Sequence, residues 1–339
     1  MCIRDRRNFT NLNKKMKTIA FLTSGGDAPG MNAAVRAVVR ACAYNRIKCL
    51  GIKKGFDGLI KGDFIEMDAR SVKGIINKGG TILKTARSNE FRSKEGRIKA
   101  YQTITNNNID GLIVIGGDGT FTGGFIFNKE FNIPVIGIPV TIDNDIYGTS
   151  HTIGYDSALN TVVEVIDKIR DTASSHNRLF FIEVMGRDAG HIALNTGIGA
   201  GAEEILIPEE NMGLSRLVES LKRSKKTGKS SSIVVVAEGD KTGKNVFELK
   251  EYVDKNLPGY DARVSVLGHL QRGGAPSCFD RVLASRMGVK AVDCLLDNKS
   301  NLMVGIINGI IELTPLEKAI KGKTKINKEL LRVSDIMSI

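Results

Sequence analysis

The 339-residue sequence contains no tryptophan, only 7 prolines and no apolar run long enough to cross a membrane. Because a membrane-spanning helix needs about 20 mostly apolar residues, none is predicted. The scarcity of proline and the 42% content of hydrophobic residues are typical of a folded globular chain rather than a disordered one. At roughly 150 residues per domain, the length predicts about two domains.

Several signature motifs are also missing. The five cysteines form neither a Cys-x-x-Cys pair nor a cluster with histidine at the spacing of a zinc site. We therefore expect reduced thiols, as in a cytoplasmic protein, rather than a disulfide framework. The sequence has no GxGxxG and no GxxxxGK[ST] motif. These absences count against a Rossmann dinucleotide site and against a Walker-type phosphate loop.

The charge is strongly unbalanced, since 49 Lys and Arg against 37 Asp and Glu give a net charge of +12. Such a charge suggests three kinds of partner: a nucleic acid, an anionic membrane or a phosphorylated small molecule. Without tryptophan or an identifiable nucleic-acid-binding motif, a nucleic-acid-binding protein is the weaker interpretation. No membrane partner is expected either.

Residues 1–15 hold a net +4 of this charge and lack the apolar core of a signal peptide. Met16 directly precedes a strand-like run. We expect residues 1–15 to be a non-native or disordered extension, with a basic targeting arm as the alternative.

Short apolar runs alternate with segments of helical periodicity. Predicted strands are 18–23, 112–115, 135–138, 180–184, 233–236 and 264–267, and their continuous apolar character is typical of parallel strands buried on both faces. Helices are predicted at 157–175, with Ser157 as N-cap, and at 279–297. This alternation predicts an α/β fold of right-handed βαβ units, with 147–156 as a linker.

Glycines, carboxylates and arginines follow these strands, at the end of the sheet where ligands bind. SGGDAPG follows the first strand, and its glycines alone are weak evidence for a phosphate site. In GGDGT (116–120), the lone carboxylate of Asp118 among glycines suits Mg²⁺ held against a polyphosphate, although an Asp-Gly turn is the simpler alternative.

TIDND (141–145) places Asp143 and Asp145 two residues apart. Phosphoryl transfer to an alcohol needs a carboxylate that accepts the hydroxyl proton and cations that neutralise the phosphoryl group. Arg87 and Arg187 are candidates for such cations. A polar turn is the alternative interpretation of TIDND.

Together, TSGGDAPGMN, GGDGT, TIDND, SSHNR, EVMGR and LGHLQRGG resemble the bacterial ATP-dependent 6-phosphofructokinase family from Met16 to the C-terminus. The resemblance implies two Rossmann-like three-layer αβα domains with mainly parallel sheets and an active site in the cleft between them. Residues 16–153 plus 270–320 would bind ATP, and residues 154–269 plus 321–339 would bind fructose 6-phosphate. It also implies a cytoplasmic glycolytic kinase that uses Mg²⁺, forms homotetramers with shared active sites and binds ADP or phosphoenolpyruvate as effectors.

The same resemblance assigns residue roles. Asp143 would be the general base, Asp118 would hold magnesium, and Thr141 and Arg187 would contact the transferring phosphoryl group. The residues implied at ATP are Gly26, Phe56, Arg87, Ser88, Gly117, Asp118, Gly119 and Thr120. Those implied at the sugar phosphate are Thr141, Asp143, Asp145, Met185, Gly186, Arg187, Glu238, His269 and Arg272, together with Arg178 and Arg263 from a neighbouring subunit. Ordinary structural roles, such as core packing for Met185 and His269, are the alternative for each.

Two positions bear on the phosphoryl donor. Pyrophosphate-using relatives tend to carry Asp where Gly119 stands and Lys where Val140 stands. An Asp at position 119 would crowd and repel a nucleotide phosphate, so Gly119 and the uncharged Val140 favour ATP over pyrophosphate. Val140 replaces the glycine that is usual in the family, and we expect it to add bulk beside the pocket.

The implied effector site is incomplete. Its members are Arg36, Arg40, Arg170, Glu203 and Lys229. Ala69, Thr227 and Ser230 stand where basic residues are common, and fewer fixed cations bind a polyanion less strongly. We therefore expect weak or altered control by ADP and phosphoenolpyruvate.

Two alternatives to this function remain. One is a lipid or nicotinamide-dinucleotide kinase, since these enzymes share GGDGT. The other is a catalytically inactive regulatory subunit.

Overall fold

The computed structural model describes residues 16–174, 178–210, 213–226, 232–242 and 244–338. These described residues form two mainly parallel β-sheets with helices on both faces, which confirms the predicted fold class. All six strands that the apolar runs predict are present. No helix in the described ranges is both long enough and apolar enough to span a membrane.

Within the described residues, the first sheet has seven strands in the order β11-β10-β5-β4-β1-β2-β3. Strands β3 and β11, at the two edges, pair antiparallel with their neighbours, whereas the inner strands are parallel. The central strands are buried along their whole length, because helices cover both faces. The strands are β1 (Thr18–Thr23), β2 (Lys48–Ile52), β3 (Phe64–Glu66), β4 (Gly111–Gly116), β5 (Val135–Pro139), β10 (Leu302–Ile307) and β11 (Ile310–Pro315).

The second sheet, as far as the described ranges reach, has four parallel strands in the order β7-β8-β6-β9. These are β6 (Arg178–Val184), β7 (Glu204–Leu206), β8 (Ser232–Ala237) and β9 (Asp261–Val266). The helices are α1 (Met31–Tyr44), α2 (Gly55–Lys61), α3 (Lys94–Asn106), α4 (Asp118–Phe131), α5 (Tyr155–Ser174), α6 (His191–Gly199), α7 (Gly213–Lys226), α8 (Val246–Asn256), α9 (Cys278–Leu296), α10 (Leu316–Lys321) and α11 (Lys328–Met337), with 3-10 helices at Glu90–Arg92 and Gly268–Arg272.

Each sheet is the middle of three layers. Successive side chains of a strand point to opposite faces, so in β1 Ile19 and Phe21 join a core with α1 and α9. Ala20 and Leu22 join a separate core with α2, α3, α4 and α10. The second sheet is covered by α5 and α6 on one face and by α7 and α8 on the other. The carboxyl ends of the strands are left free of helices, which is where a site can form.

Asp280 joins the two points at which the chain crosses between the sheets. The chain enters the second sheet through α5 and returns to the first through α9, whose first turn contains Asp280. The fully buried Asp280 carboxylate accepts hydrogen bonds from the N–H groups of Gly154 (2.9 Å) and Ser157 (2.8 Å) and from the Ser157 hydroxyl (2.6 Å). A carboxylate near a helix N-terminus also interacts favourably with the helix dipole.

The predicted N-cap role of Ser157 is wrong. Helix α5 begins at Tyr155, so Ser157 lies inside its first turn. Its hydroxyl donates to Asp280 and accepts from the Ser277 N–H group at 2.8 Å. The cap of α5 comes instead from the Asp280 carboxylate of another helix, which periodicity along one segment cannot indicate.

Asp280→Ala should lower the free energy of unfolding by about 3 kcal/mol, because it removes three hydrogen bonds to a charged group and leaves two buried N–H groups unpartnered. Urea unfolding at one fixed protein concentration measures the loss. Asp293→Ala is the matched control, since Asp293 lies on the same helix, is only half-buried and its carboxylate accepts no hydrogen bond from the described residues. Equal stability of the two variants would contradict the role given to Asp280.

Candidate active site

A cleft of about 530 Å³ lies at the carboxyl ends of β1, β4 and β5 and is bounded by segments that follow β6 and β9. Open parallel sheets bind ligands at this end. The predicted site residues that line the cleft are Gly26, Phe56, Arg87, Ser88, Gly117, Asp118, Gly119, Thr120, Thr141, Asp145, Arg187 and Arg272. The fold therefore brings together side chains from segments as distant in sequence as residues 26 and 272.

One end of the cleft is aromatic. The ring of Phe56 stacks on that of Phe91, with 4.1 Å between the centroids and 20° between the planes. Gly123 of α4 allows this packing, because a Cβ atom there would lie 2.9 Å from the Phe56 ring. Phe56 is only 6% exposed, so it contributes a wall rather than a free stacking surface. The Ser88 hydroxyl accepts a hydrogen bond from the Phe91 N–H group at 3.3 Å.

Arg97, which no sequence pattern indicates, holds this aromatic end in place. Its Nε and Nη2 atoms donate to the Glu130 carboxylate at 2.6 and 2.8 Å, a bidentate pair. Its Nη1 atom donates to the carbonyl oxygens of Phe91 and Arg92 at 3.1 and 2.7 Å. The 3-10 helix that carries Phe91 is thereby fixed to α4.

The GGDGT segment forms the turn from β4 into α4. Gly117 precedes the helix, so Asp118 is its first residue, and residues 117–120 at this helix N-terminus line the cleft. Such a helix N-terminus is a favourable place for phosphate oxygens. A Cβ atom at Gly119 would meet nothing within 4 Å, so packing does not require a glycine there. The Thr120 hydroxyl is buried and has no hydrogen-bond partner among the described residues.

Asp143 is the most buried carboxylate of the TIDND loop (residues 141–145), with 1% of its surface exposed. Its Oδ2 atom lies 3.4 Å from Arg187 Nε, whereas its Oδ1 atom has no partner within the described residues. Its N–H group donates to the Thr141 hydroxyl at 3.2 Å. Burial raises the pKa of Asp143, and the nearby Arg272 and Arg187 guanidinium groups oppose that rise. The arrangement leaves one oxygen ready to accept a proton.

Asn144 and Thr152 brace the TIDND loop and are a second set that motif reading misses. Asn144 adopts a left-handed backbone with φ of 51°. Its side chain donates to the Ser150 carbonyl at 3.1 Å and accepts from the Thr152 N–H group at 2.9 Å. The Thr152 hydroxyl donates to the Thr141 carbonyl at 2.7 Å. Asn is tolerant of left-handed φ, which was the available sequence signal for this turn.

Negative charge accumulates in the cleft. Burial, together with the neighbouring Asp143 charge, raises the pKa of Asp145 to about 6. Burial also raises the pKa of Asp118, against an opposing effect of Arg187. Asp145 thus interacts with both Asp143 and Asp118, and Arg187 is a compensating cation for all three carboxylates.

Among the described residues, no three His, Cys, Asp or Glu side chains converge to hold a metal ion by themselves. Asp118 offers a single carboxylate to the cleft, at the N-terminal end of α4. Mg²⁺ commonly takes one or two protein carboxylates and completes its shell with phosphate oxygens and waters. The residues therefore fit a magnesium ion that arrives with a polyphosphate.

Glu238 organises the part of the site that follows β6. One of its carboxylate oxygens accepts from the N–H groups of Gly186 (3.3 Å) and Arg187 (2.7 Å). Arg187 has a left-handed φ of 53°, and a Cβ atom at Gly239 would lie 2.0 Å from its carbonyl oxygen. The segment after β8 therefore fits closely against this turn and aims the Arg187 side chain at Asp143.

The 3-10 helix Gly268–Arg272 is tied to the same region. The side chain of Gln271, fully buried, accepts from the Met185 N–H group at 3.2 Å and donates to the Gly268 carbonyl at 3.0 Å. His269 is exposed on this helix. Arg272 Nη1 donates to the Asp27 carbonyl at 3.2 Å, so it links the second sheet to the glycine turn after β1. Gln271 is a positioning residue that the predicted set omits.

Arg178 and Arg263 lie elsewhere. They occupy neighbouring positions on β6 and β9 and both contact the Asp261 carboxylate, at 3.1 and 2.9 Å. Arg178 begins β6 whereas Met185 follows its end, so roughly 20 Å separates the pair from this chain's own cleft at about 3.3 Å per residue. Within one chain these arginines do not join the site.

The predicted effector residues that the structure describes lie in helices α1 and α5 and just before β7. Arg36 and Arg40 lie one turn apart on α1, and burial together with the Arg40 charge lowers the pKa of Arg36. Arg170 donates to the carbonyl oxygens of Ala200 (2.5 Å) and Gly201 (2.8 Å). Glu203 is buried and accepts from the Ile233 N–H group at 2.5 Å. Lys229, with Thr227 and Ser230, lies outside the described residues, as do residues 1–15 and part of the SSHNR motif.

Comparison with known proteins gives consistent matches. The family model described as phosphofructokinase matches residues 18–295. ATP-dependent 6-phosphofructokinase 2 of Bacteroides thetaiotaomicron is 51% identical over 324 residues, which are 96% of this chain and 99% of that protein. ATP-dependent 6-phosphofructokinase 1 of Thermus thermophilus is also 51% identical, over 96% of this chain and 100% of that protein.

Solved structures show the same fold. Phosphofructokinase of Saccharomyces cerevisiae is 35% identical with a TM-score of 0.87, over 95% of this chain. The present chain spans 48% of that longer yeast chain. A pyrophosphate-dependent phosphofructokinase of Marinobacter aquaeolei, with 21% identity and a TM-score of 0.82, covers 95% of this chain and 91% of its own, and shares the fold.

Asp145→Asn should stabilise the ligand-free protein at pH 8. Folding raises the pKa of Asp145 from 3.8 to about 6, so the native state binds the proton more tightly, and stability falls as pH rises through this range. Allowing for partial exposure, the gain at pH 8 is about 1 to 2 kcal/mol. Urea unfolding at pH 8 and pH 4.5 measures it, with the exposed Asp167→Asn of α5 as control. The gain should fall to about a third at pH 4.5, where the native Asp145 is protonated but the unfolded one is still mostly ionised, and an equal gain at both pH values would contradict the charge argument.

Proposed function

The chain belongs to the phosphofructokinase family, and on that basis we propose that its cleft transfers the γ-phosphate of ATP to the 1-hydroxyl of fructose 6-phosphate, giving fructose 1,6-bisphosphate and ADP. This is a kinase reaction of glycolysis, which belongs to the cytoplasm. The structural observation that carries the proposal is the buried Asp143 carboxylate, with one oxygen beside Arg187, which lines the cleft, and the other oxygen unpartnered among the described residues.

Asp143 would act as the general base. Its free Oδ1 atom can accept the proton of the 1-hydroxyl while that oxygen attacks the γ-phosphorus in line. Transfer would be direct, because the described cysteines lie outside the residues that line the cleft and no activated nucleophile is found there. Desolvation raises the pKa of Asp143 and so makes its carboxylate a stronger base than an exposed one.

Cations and N–H groups would stabilise the transferring phosphoryl group. Arg187 is 60% exposed, so it can leave Asp143 and turn toward phosphate oxygens. The first turn of α4 presents its free N–H groups to the polyphosphate, and the unpartnered Thr120 hydroxyl lies in the same turn. Asp118 would hold Mg²⁺, which when bound neutralises charge on the phosphate oxygens. Gly26, Arg87, Ser88 and Phe56 would line the nucleotide pocket.

The open space at Gly119 supports ATP as the donor, since a nucleotide phosphate can occupy the volume that a side chain would fill. Val140 lines the cleft but is 1% exposed, because its side chain packs into the core. The bulk expected beside the pocket therefore takes little of the cleft. Pyrophosphate remains the alternative donor.

For the sugar phosphate, we propose that Glu238, Met185, Gly186, His269 and Arg272 bind from within the chain. Arg178 and Arg263 would contribute from a partner subunit, because this chain holds them at the far end of the second sheet. A homotetramer with shared active sites satisfies this requirement. The domain division at 16–153 plus 270–320 and 154–269 plus 321–339 would then separate the ATP half from the sugar half.

Regulation by ADP or phosphoenolpyruvate would be weak. Arg170 already donates two hydrogen bonds to carbonyl oxygens and Glu203 accepts one from the backbone, so both are partly engaged without an effector. Arg36 and Arg40 would supply most of the charge that an effector phosphate meets.

Donor choice is tested directly. With fructose 6-phosphate and Mg²⁺, ATP should support turnover at least about a hundredfold faster than pyrophosphate, since such a difference needs under 3 kcal/mol of transition-state discrimination. A coupled assay of fructose 1,6-bisphosphate formation measures both rates. Turnover with pyrophosphate and not with ATP would contradict the proposal.

Asp143→Asn should lower kcat by about a hundredfold to ten-thousandfold, because an amide cannot accept the hydroxyl proton. ATP binding, measured by calorimetry, should stay within about twofold of wild type, which separates loss of the base from loss of the fold. The exposed Asp167→Asn variant controls for the change of charge. Near-normal kcat in Asp143→Asn would remove Asp143 from the base role.

A further inference from the structure

A second cavity of about 630 Å³ lies behind the TIDND loop, and we call it the lysine pocket after Lys318, Lys323 and Lys325 in its wall. Asn144, the loop that precedes α5 and the chain after β11 form the rest of the wall. None of its lining residues also lines the active-site cleft. The two cavities are therefore separate spaces that share the TIDND loop as a partition.

The charged side chains that line the lysine pocket are all positive. Among the described residues, no Asp or Glu lines it, and its three lysines make no ion pair in the described part of the chain. Lys321, one turn away on α10, shows the contrast, because it pairs with Glu317 at 2.8 Å. His191 also lines the pocket, and burial lowers its pKa, so it is mainly uncharged near neutral pH. The lysines alone set the sign of the local potential.

The wall of the lysine pocket is ordered by its own contacts. Tyr147 packs so closely on the chain at Gly322 that a Cβ atom there would lie 2.3 Å from its ring. The Thr149 hydroxyl donates to the His151 carbonyl at 2.8 Å and accepts from the Ile306 N–H group at 3.0 Å. These contacts hold the loop against the strands β10 and β11, so the cavity is shaped before any ligand arrives.

We propose that the lysine pocket binds a small phosphorylated organic anion. Three unpaired ammonium groups match the charge of a phosphate dianion, for which lysine is a common binder. The hydroxyls of Ser150, Thr314 and Thr324 add hydrogen-bonding groups. Leu313 and Pro315 offer apolar surface to a carbon skeleton, and the volume is in the range of small-molecule sites. The site stands on these groups alone and does not depend on the reaction proposed for the cleft.

Amide hydrogen exchange on the full chain tests the site, with inorganic phosphate as the probe and chloride at equal ionic strength as the reference. Phosphate at about 10 mM, ten times a millimolar dissociation constant, should slow exchange about tenfold in segments 144–150 and 313–325. Lys323→Ala/Lys325→Ala should abolish this protection. Lys321→Ala/Lys328→Ala removes the same charge outside the pocket and should keep it.

Hydrogen exchange is measured for each segment separately, so protection caused by phosphate in the active-site cleft is distinguished from protection at the lysine pocket. Lys323 and Lys325 are exposed, so their variants should fold, and a matching thermal midpoint checks this. Lys323→Arg/Lys325→Arg should retain the protection. Absence of protection in the wild type, or an equal effect in the two alanine variants, would overturn the proposal.

Discussion

The hydrogen bonds of Asp280 are the constraint on which the arrangement of this molecule depends. A chain that builds two sheets and passes between them twice has two crossing segments, and the relative position of the sheets depends on how these segments meet. Here they meet at one buried carboxylate, which lies in the first turn of α9 and caps the first turn of α5. Both crossings meet at this point, and the segments after β1, β4 and β5 face those after β6 and β9 across the cleft, while α11 packs on α6 after a further crossing.

The cleft holds ionisable side chains in surroundings that disfavour their charge, which destabilises the ligand-free protein. Asp118, Asp143 and Asp145 all have raised pKa values, chiefly through burial, and the arginines compensate only in part. Functional sites commonly hold ionisable groups in such unfavourable surroundings. A ligand that brings a cation and accepts hydrogen bonds would relieve the repulsion, so part of its binding free energy would come from strain that the fold already contains.

The sequence predicts most of the central fold because parallel strands buried on both faces read as continuous apolar runs, as in β1 and β4. The same pattern does not predict β3, which has only three residues at a sheet edge, or β11, where half-buried and exposed residues alternate. The three-residue strand β7 is missed because it is short, and strands β2 and β10 are missed as well.

Residues in strand-end motifs are also predictable, since the sheet brings these ends together. Supporting residues such as Arg97 and Gln271 are not predictable, because they bind backbone groups of other segments and belong to no local sequence pattern. The capping role of Asp280 is not predictable from the sequence for the same reason.

If Glu238 binds the sugar as proposed, it would have a consequence for substrate selectivity. One of its oxygens is committed to the backbone of Gly186 and Arg187, which leaves the other for a sugar hydroxyl. A sugar that binds Glu238 thereby acts on the turn that aims the Arg187 side chain. Recognition and catalysis are then joined in one carboxylate, and a sugar without the matching hydroxyl would be discriminated against in kcat as well as in KM.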